Sequence, residues 1–337
     1  MTRNLKCCLC LALSILMSGC EKVNESSPKK IKETAKYFAV FTDYVSKNCL
    51  TEIEFYDQKG QSLKFETIKS SGDLSYHKFV DNNYYMFGPG GLLKIDNEKL
   101  VAEKLADGDI NDIDVENDDI YIYLNNGYAD NGKYDSKIKS ISGEFELSLD
   151  YHINDMEHHN GLLYTINSLD SQDGKLFINV FDKNKKVNSF EVDENGSFYI
   201  INNEVFLLTQ SYLLNINSMV KFPLIDEKGA PVSIFSTFDA IHKNVDGYIL
   251  VNNEVSGSNF YLMELLNENI KLTKIDVQSV GKIKNNIYIE NKGFYISNKN
   301  NEMFKLTIEN GIPDIHEIKV DYKSNKSLFI AYEIDNK

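Results

Sequence analysis

The 337-residue sequence predicts an all-β protein, and three observations lead to that prediction. Hydrophobic residues alternate with polar ones along most of the chain after Tyr37, which is typical of half-buried strands. Short segments rich in Asn, Asp and Gly separate these strings and suit tight turns, because Asn and Gly tolerate positive φ. A unit of four strand-like segments recurs about every 40 residues. Four strands repeated around a ring form a β-propeller, which is the fold we predict.

The alternation is clearest in Ile120–Leu124, where tyrosines separate the aliphatic residues at every second position. No segment predicts a helix of three or more turns. Leu262–Leu266 would suit a helical turn, but Asn259–Leu266 continues the strand series better. Tight turns are predicted at Asp57–Gly60, Asn125–Gly127, Asp173–Gly174, Asn195–Gly196 and Asn310–Gly311.

Two of the repeated units begin with nearly the same residues. Ile110-Asn111-Asp112-Ile113 precedes one hydrophobic string, and Ile153-Asn154-Asp155-Met156 precedes the next. Each of these units contains two further strand-like segments. The four-strand pattern recurs without the motif at 77–104, 197–225, 237–276 and 286–320.

The two ends of the chain predict how the ring closes. Segment 37–68 yields only three strands, and Ser327–Ile334 is one further strand without a unit of its own. Pairing them completes a four-stranded unit and removes the open sheet edges. This arrangement gives seven blades, and six or eight remain open because the weakest units could merge.

The Ile-Asn-Asp start, followed by a strand with an aliphatic-Tyr pair, resembles the inner-strand signature of the NHL and YncE-like propeller superfamily. The resemblance covers two units well and implies the propeller fold without a specific activity. The sequence contains no Trp, which argues against WD40 blades, sialidase Asp boxes and the tryptophan-docked blades of quinoproteins.

The N-terminus resembles the signal peptide of a bacterial lipoprotein. Cys7–Met17 is an uncharged apolar run, too short to span a bilayer, which takes about 20 residues. Met17-Ser18-Gly19-Cys20 resembles a lipobox, with Met where Leu is usual. The resemblance implies cleavage after Gly19 and attachment of fatty acids such as palmitate at Cys20. A plain signal peptide or an uncleaved anchor is the alternative.

The chain is therefore predicted in three parts: a signal peptide at 1–19, a lipidated flexible tether at 20–36 and a propeller domain at 37–337. The tether is polar and contains no aromatic residue. No later apolar run approaches 18 residues, so we expect no membrane-spanning segment after the signal. Cys49 would be the one thiol left free, and we interpret it as a buried strand residue.

The charge balance excludes one class of partner. Asp and Glu number 50 against 36 Lys and Arg, a net charge of −14, and cleavage after Gly19 would bring it to −16. Without a basic surplus to neutralise phosphates, nucleic acid is not expected as a partner. The signal predicts a lipid-anchored protein of the bacterial cell envelope, facing the periplasm or the cell exterior.

Asp112 and Asp155, with Asn111 and Asn154, are the candidate ligands for a cation or polar molecule at the channel mouth. Equivalent repeats would place both carboxylates at the same level of neighbouring inner strands. Alternatively, each Asp binds backbone groups in the turn of its own blade. The acidic run Asp107–Asp119 offers oxygen ligands for Ca²⁺, although its spacing matches no calcium loop and a solvated edge is the alternative.

Other motifs are interpreted as structural. His158 and His159 are adjacent on a strand and should face opposite sides, so they are not expected to share a zinc ion. Ser75-Tyr76-His77-Lys78 matches S-x-x-K but lacks the accompanying K-T-G, and we interpret it as a chance match. No resident metal is therefore predicted.

Two functions remain open. The first is a binding or scaffold module that grips an envelope protein or a glycan, favoured because no catalytic constellation is recognisable. The second is a cation-dependent, lactonase-like hydrolase at the channel mouth, which would need polar side chains from three or more blades to converge.

Overall fold

β-strands make up nearly all regular structure in the computed structural model, which describes residues 35–42, 50–57, 59–69, 74, 76–80, 83–96, 101–130, 132–168, 174–234, 240–244, 247–254, 257–289, 292–319 and 327–333. The predicted signal peptide, Cys20 and Cys49 lie outside these residues. In chain order the strands are β1 (Ala35–Thr42), β2 (Leu50–Asp57), β3 (Ser62–Lys69), β4 (Tyr76–Val80), β5 (Asn83–Gly88), β6 (Gly91–Asp96), β7 (Val101–Ala106), β8 (Ile110–Glu116), β9 (Asp119–Tyr128), β10 (Tyr134–Ser140), β11 (Glu146–Leu149), β12 (Ile153–His159), β13 (Leu162–Asn167), β14 (Leu176–Asp182), β15 (Lys185–Val192), β16 (Gly196–Ile201), β17 (Glu204–Thr209), β18 (Tyr212–Asn215), β19 (Lys221–Asp226), β20 (Ala240–Asn244), β21 (Gly247–Glu254), β22 (Gly257–Leu265), β23 (Ile270–Ile275), β24 (Ile283–Ile289), β25 (Gly293–Asn298), β26 (Met303–Glu309), β27 (Ile312–Ile318) and β28 (Ser327–Glu333).

Within the described residues the helical content is a single 3-10 turn, Gln278–Val280. The segment around Leu262 is part of strand β22, as the alternation predicts. Among the same residues, no helix has the length and apolar character needed to cross a membrane. The all-β prediction is confirmed.

Four-stranded antiparallel units repeat along the chain, as a propeller requires. We number these blades by chain order: blade 1 is β28-β1-β2-β3, blade 2 is β4–β7, blade 3 is β8–β11, blade 4 is β12–β15, blade 5 is β16–β19, blade 6 is β20–β23 and blade 7 is β24–β27.

The C-terminal strand completes the first blade, so the predicted closure is confirmed. β28 pairs with β1 in antiparallel register, with Ala39 opposite Ala331 and Val40 opposite Ile330. β28 also lies against β24 and β25 of blade 7, the last blade before it in the chain. The pairing leaves β1 without an open edge.

Blades 5 and 6 are joined in a way that the alternation does not predict. Their outer strands β19 and β23 pair in parallel, with Leu224 opposite Ile270 and Asp226 opposite Leu272. The two blades therefore form one eight-stranded sheet. Leu224, Ile270 and Leu272 are buried in one cluster with residues from both blades.

The hydrophobic core lies between consecutive blades. One cluster joins blades 4 and 5 and includes the fully buried Ile178 and Leu207. Comparable clusters lie between blades 2 and 3, 3 and 4, 5 and 6, and 6 and 7. Blades 3 to 6 thus bury both faces of their sheets, which explains why their strands carry apolar or aromatic residues at consecutive positions.

Two-residue turns with positive φ join the first and second strands of blades 3, 4 and 5. They are Asn117-Asp118, Asn160-Gly161 and Asn202-Asn203. Asn310-Gly311 is a turn of the same kind, as predicted. The amide of Gly161 donates to Glu116 Oε1 at 3.2 Å, and His159 Nε2 lies 3.0 Å from the carbonyl oxygen of Asn203. These contacts show that the first turns of blades 3, 4 and 5 lie side by side.

The blades therefore share one orientation, which defines two faces. The lower face has the turns between the first and second strands and between the third and fourth strands of each blade. The upper face has the turns between the second and third strands and the connections between blades. β1 begins on the lower face, because Ala35 pairs with Asp57, next to the turn between the third and fourth strands of blade 1.

Two predicted turns are wrong in detail. Asn125–Gly127 lies inside β9, which continues to Tyr128, and the pairing with β10 shifts there as in a β-bulge. The turn itself comes later, where the amide of Ala129 donates to the carbonyl of Lys133 at 2.8 Å. Gly196 likewise begins strand β16, so Asn195-Gly196 belongs to a connection between blades instead of a hairpin. A bulge uses the same Asn and Gly conformations as a turn, which explains the error.

Candidate functional site

The Ile-Asn-Asp segment of blade 3 forms a β-bulge at the start of its first strand. Ile110 pairs with Leu124 and Asp112 pairs with Tyr123, so Asn111 is the extra residue. Ile110 and Ile113 are both fully buried although they are three positions apart. In a regular strand they would face opposite sides, and the extra residue brings them to the same side.

Blade 4 repeats this bulge. The pairing shifts between Ile153 and Asp155, leaving Asn154 as the extra residue. Asn154 is exposed, and its Nδ2 donates to the carbonyl of Asn167 at 3.4 Å. Asn111 is half-buried, and its Oδ1 has no hydrogen-bond partner among the described residues. The repeated motif is thus the sequence signature of a bulge that places Asp112 and Asp155 equivalently.

Both aspartates bind the first strand of the next blade. Asp112 Oδ2 accepts a hydrogen bond from the amide of Met156 at 3.2 Å, and its Oδ1 accepts one from the amide of Ile113 at 2.8 Å. Asp155 Oδ2 accepts a bond from the amide of Phe198 at 2.5 Å. These charge-assisted bonds join blade 3 to blade 4 and blade 4 to blade 5. The side-chain-to-backbone alternative is therefore the one observed, but the main partner is the neighbouring blade.

Two more acids of β8 extend this contact. Asp114 Oδ2 accepts from the amide of His158 at 2.6 Å, and Glu116 accepts from Gly161. Asp112, Asp114 and Glu116 are at alternate positions, so all three face β12. The oxygens that Ca²⁺ would need are thus bonded to amides, and the described residues hold no group of three His, Cys, Asp or Glu side chains suited to a metal ion.

Lys78 of blade 2 is the residue that sequence reasoning missed. Its Nζ donates to the carbonyl of Ile113 at 3.1 Å and to Asp114 Oδ1 at 3.3 Å. The Asp114 side chain is only 6% exposed and that of Lys78 is 36% exposed, so the carboxylate is removed from water while the ammonium group keeps partial access to it. Lys78 is the last residue of the S-x-x-K match, and nothing local in sequence indicates an acidic partner 36 positions away. The one indication in the sequence is that a charged residue, Lys78, stands at the centre of the short strand β4, where it would need an acidic partner.

Lys78 lies among four carboxyl groups that we name the acid cluster: Asp112, Asp114, Asp155 and Glu157. Burial lowers the pKa of Lys78, but attraction to the acid cluster raises it by more, so its pKa lies well above the usual value. Burial raises the pKa of Asp112 to about 6, with Lys78 opposing the rise and Asp114 adding to it. The carboxyl of Asp112 therefore exchanges its proton close to neutral pH.

The other two acids shift in the same direction. Burial, followed by repulsion from Asp112, raises the pKa of Asp155 well above its ordinary value. Burial, followed by repulsion from Asp114, does the same for Glu157. These side chains keep some accessible surface, but protein surrounds them on most sides, which disfavours the charged form. Asp112, Asp155 and Glu157 thus bind protons more readily than free carboxyl groups, and backbone amides donate to the oxygens of Asp112 and Asp155.

The two adjacent histidines face opposite sides, as the strand period predicts. His158 is buried, stacks on Tyr121 with 3.7 Å between ring centroids, and places Nδ1 3.8 Å from Asp114 Oδ2. Burial lowers the pKa of His158, with Asp114 opposing the change. His159 instead points toward the next blade and contacts Asn203.

A second candidate site lies on the upper face, where β9 extends beyond the predicted turn. Tyr128 is 65% exposed, and its hydroxyl donates to the hydroxyl of Tyr134 at 2.7 Å. The two ring centroids are 4.3 Å apart. We name these residues the tyrosine pair. Charged groups lie close in sequence to the tyrosine pair: Lys133 Nζ donates to Asp150 Oδ2 at 2.5 Å. An exposed aromatic surface beside polar groups is suited to contact with a ligand that is apolar on one face and polar at its edge.

Comparisons with known proteins agree with the fold. No family model matches the chain, and no curated protein matches it. Among solved structures, a candidate 6-phosphogluconolactonase from Bacteroides fragilis aligns with a TM-score of 0.52 at 14% identity, over 90% of this chain and 99% of that one.

Two other solved structures align less closely. YCF48 bound to D1 peptide gives a TM-score of 0.43 at 11% identity, over 78% of this chain and 89% of that one. A GH43_1 enzyme from Xanthomonas citri complexed with xylotriose gives 0.27 at 10% identity, over 91% and 96%. At these identities a likeness concerns the fold alone, and together with the repeated four-stranded sheets the first one identifies this chain as a β-propeller.

Proposed function

We propose that this chain is a lipid-anchored binding module of the bacterial cell envelope, whose propeller binds an envelope glycan or protein. The observation that supports it most directly is the exposed tyrosine pair on the upper face. β1 enters the domain on the opposite face, so a tether at the N-terminus would leave the upper face free to meet a ligand.

The anchor is supported by the sequence. Residues 1–19 have the length and apolar run of a signal peptide, and Met17–Cys20 resembles a lipobox. A lipid at Cys20 would attach the protein to a membrane, facing the periplasm or the cell exterior. The inner-strand motif resembles NHL and YncE-like propellers, in which the fold serves many functions, so the ligand must be argued from the site.

The contacts of the acid cluster favour a binding module over an enzyme, because its aspartates are already hydrogen-bonded within the protein. Asp112, Asp114 and Asp155 each accept a hydrogen bond from a backbone amide of the next blade. Lys78 occupies the remaining space beside Asp114. These carboxylates thus stabilise the ring, and removing their amide contacts to coordinate a substrate would leave buried donors without partners.

The chemistry of the tyrosine pair favours a glycan as the first ligand to test. Tyr128 offers a flat ring on which the apolar face of a sugar can stack, while Asn126 and Asp135, 3.3 Å apart, offer a donor and acceptors at its edge. Aromatic residues are also enriched in protein interfaces, so a protein ligand would use the same ring.

The test is binding of the full-length protein, purified from membranes in detergent, to cell-wall glycan fragments and, by crosslinking in cells, to envelope proteins. Tyr128→Ala should weaken binding at least about tenfold, because a central aromatic in an interface contributes about 2 kcal/mol or more. Tyr76→Ala is the matched control, since Tyr76 is also exposed but lies in blade 2. Binding that survives Tyr128→Ala would contradict the assignment of this site.

The alternative is a cation-dependent, lactonase-like hydrolase with its site at the channel mouth. Its support is the raised pKa of Asp112 and Asp155, because strongly shifted carboxyl groups are common at catalytic sites. It predicts Ca²⁺-dependent opening of lactones that is lost in Asp155→Asn while Asp150→Asn retains it. Such a result, with an unchanged melting temperature, would replace the binding proposal by the enzymatic one.

A further inference from the structure

Exposed aliphatic side chains gather on the lower face of blades 5, 6 and 7. Met219 and Val220, in the turn after the third strand of blade 5, are 37% and 46% exposed. Leu265 and Leu266 of blade 6 are 39% and 38% exposed, and Ile312 of blade 7 is 70% exposed. We name these five residues the aliphatic rim. Exposed apolar residues on one face of a folded domain are a candidate contact surface.

The parallel pairing of blades 5 and 6 brings the rim together. Leu224 lies opposite Ile270, the first residue of β23. Val220 directly precedes β19, and Leu266 directly follows β22 in the turn that leads into β23. Short backbone bonds close both turns, from Asn215 to Val220 at 3.0 Å and from Leu266 to Asn269 at 2.9 Å. Because the two strands that follow these turns pair in parallel, both turns lie at the same end of the eight-stranded sheet.

Blade 7 continues this surface. A Cβ at Gly311 would lie 3.5 Å from Leu262 Cδ2, so the turn that precedes Ile312 packs against the third strand of blade 6. Blade 7 also contacts β28 of blade 1, the blade that receives the N-terminal segment. Blade 7 is thus next to the blade on whose lower face the chain enters the domain.

The length of the preceding segment limits how far the rim can be from an anchor. Residues 21–34 separate Cys20 from β1, and a fully extended chain of this length spans at most about 50 Å. A flexible chain of this length has a root-mean-square span of about 20 Å. A lipid at Cys20 would therefore hold the lower face close to the bilayer. This step rests on the proposed function, which supplies the lipid anchor.

We propose that the aliphatic rim docks on the surface of the same bilayer, so that the propeller lies on the membrane with its upper face outward. The rim has no surplus of basic residues: Lys271 pairs with Glu264 at 3.0 Å and Lys221 pairs with Asp193 at 2.7 Å. The docking therefore depends on apolar insertion at the headgroup boundary and takes a zwitterionic lipid surface.

The natural absence of Trp makes the test site-specific. Full-length Leu266→Trp and Tyr128→Trp, each with a single Trp, are reconstituted through their lipid into phosphatidylcholine vesicles with and without brominated acyl chains. Emission of Leu266→Trp should be quenched at least about twofold by the brominated lipid, as expected for a ring at the acyl boundary. Emission of Tyr128→Trp, on the upper face, should not change.

Further variants separate the possible failures. Mass spectrometry establishes whether Cys20 is lipidated, and Cys20→Ser should leave the membrane fraction. If Cys20 carries no lipid, the anchor proposal fails and the docking falls with it. If Cys20 is lipidated but neither Leu266→Trp nor Val220→Trp is quenched, the docking alone is overturned. Crosslinking of Leu266 to a protein in place of lipid would also overturn it.

Discussion

The blades are joined by different chemistry on the two sides of the ring. From blade 2 to blade 5 the first strands are connected by charged side chains, with Lys78 bound to Asp114 and carboxylates bound to backbone amides. Between blades 5 and 6 the corresponding contact is neutral. The hydroxyl of Tyr248 donates to Asn202 Oδ1 at 3.0 Å and accepts from the amide of Asn202 at 2.9 Å.

The neutral side has a second connection that the charged side lacks among its described strands. β19 and β23 pair in parallel and bury Leu224 between blades 5 and 6. Ionic contacts bring a large desolvation cost that only good partners offset, whereas apolar packing brings none. The charged side should therefore be most sensitive to loss of a partner, and the neutral side to loss of volume.

The largest effect on the charged side is expected for Asp114→Ala. The change leaves Lys78 without its anionic partner and the amide of His158 without its acceptor. Breaking a fully buried pair from one side costs about 3–5 kcal/mol of the free energy of unfolding, and the partial exposure of Lys78 places the expected loss at about 2–3 kcal/mol. Urea denaturation measures the loss, and Asp114→Asn, which keeps an acceptor oxygen, should recover part of it. A loss below about 1 kcal/mol would show that Asp114 is in practice solvated.

Leu224→Ala tests the neutral side. Leu224 is 1% exposed and packs between blades 5 and 6, so truncation should cost about 2–5 kcal/mol through lost burial and a cavity. Because no charge is involved, the loss should be the same at low and high salt. Val187→Ala, an exposed position, is the control and should change the free energy of unfolding by less than about 0.5 kcal/mol.

The pH dependence should differ in sign between the two sides. Asp112 has a pKa raised to about 6, so its contribution to stability is full below the unfolded value of 3.8 and is lost as pH rises through 6. His242, between Tyr288 and Phe294 on the neutral side, has a pKa lowered by burial to about 4. Its contribution is full above 6.5 and is lost as pH falls toward 4.

Two variants separate these opposing terms. Relative to the unmodified protein, Asp112→Asn should gain stability at pH 7 compared with pH 5, and His242→Phe should gain it at pH 5 compared with pH 7. Thermal denaturation across this range supplies both comparisons. Parallel pH profiles for all three proteins would contradict the assignment of these two groups.

Local patterns in the sequence predict much of the fold. Strand alternation, the four-stranded repeat and the closing strand depend on period-two patterning and on counting strands, and all three are confirmed. The repeated Ile-Asn-Asp was visible as a repeat, but its meaning as a bulge was not, because the shift at Asn111 depends on the pairing with β9. The blade 5–6 pairing depends on how two sheets approach in space, which no local pattern encodes.

The candidate sites were less predictable, for two physical reasons. Asp112 and Asp155 were found from the repeat, whereas Lys78 lies on another blade and meets Asp114 only after the ring forms. The tyrosine pair was missed because Asn126-Gly127 has the residue types of a turn, and the strand continues past it to Tyr128. A bulge and a turn cannot be told apart by residue type alone.

The smallest expected effect is at Lys133 and Asp150, a pair that sharpens the comparison because it has the same residue types as Lys78 and Asp114. Its atoms are closer, 2.5 Å against 3.3 Å, but its side chains are 61% and 59% exposed. Lys133 lowers the pKa of Asp150, so the pair contributes above pH 3.8 and its contribution is lost as pH falls below that value. A double-mutant cycle should give a coupling of about 0.2–1 kcal/mol, which salt reduces. A coupling as large as that between Lys78 and Asp114 would mean that distance, and not removal from water, decides the strength of these contacts.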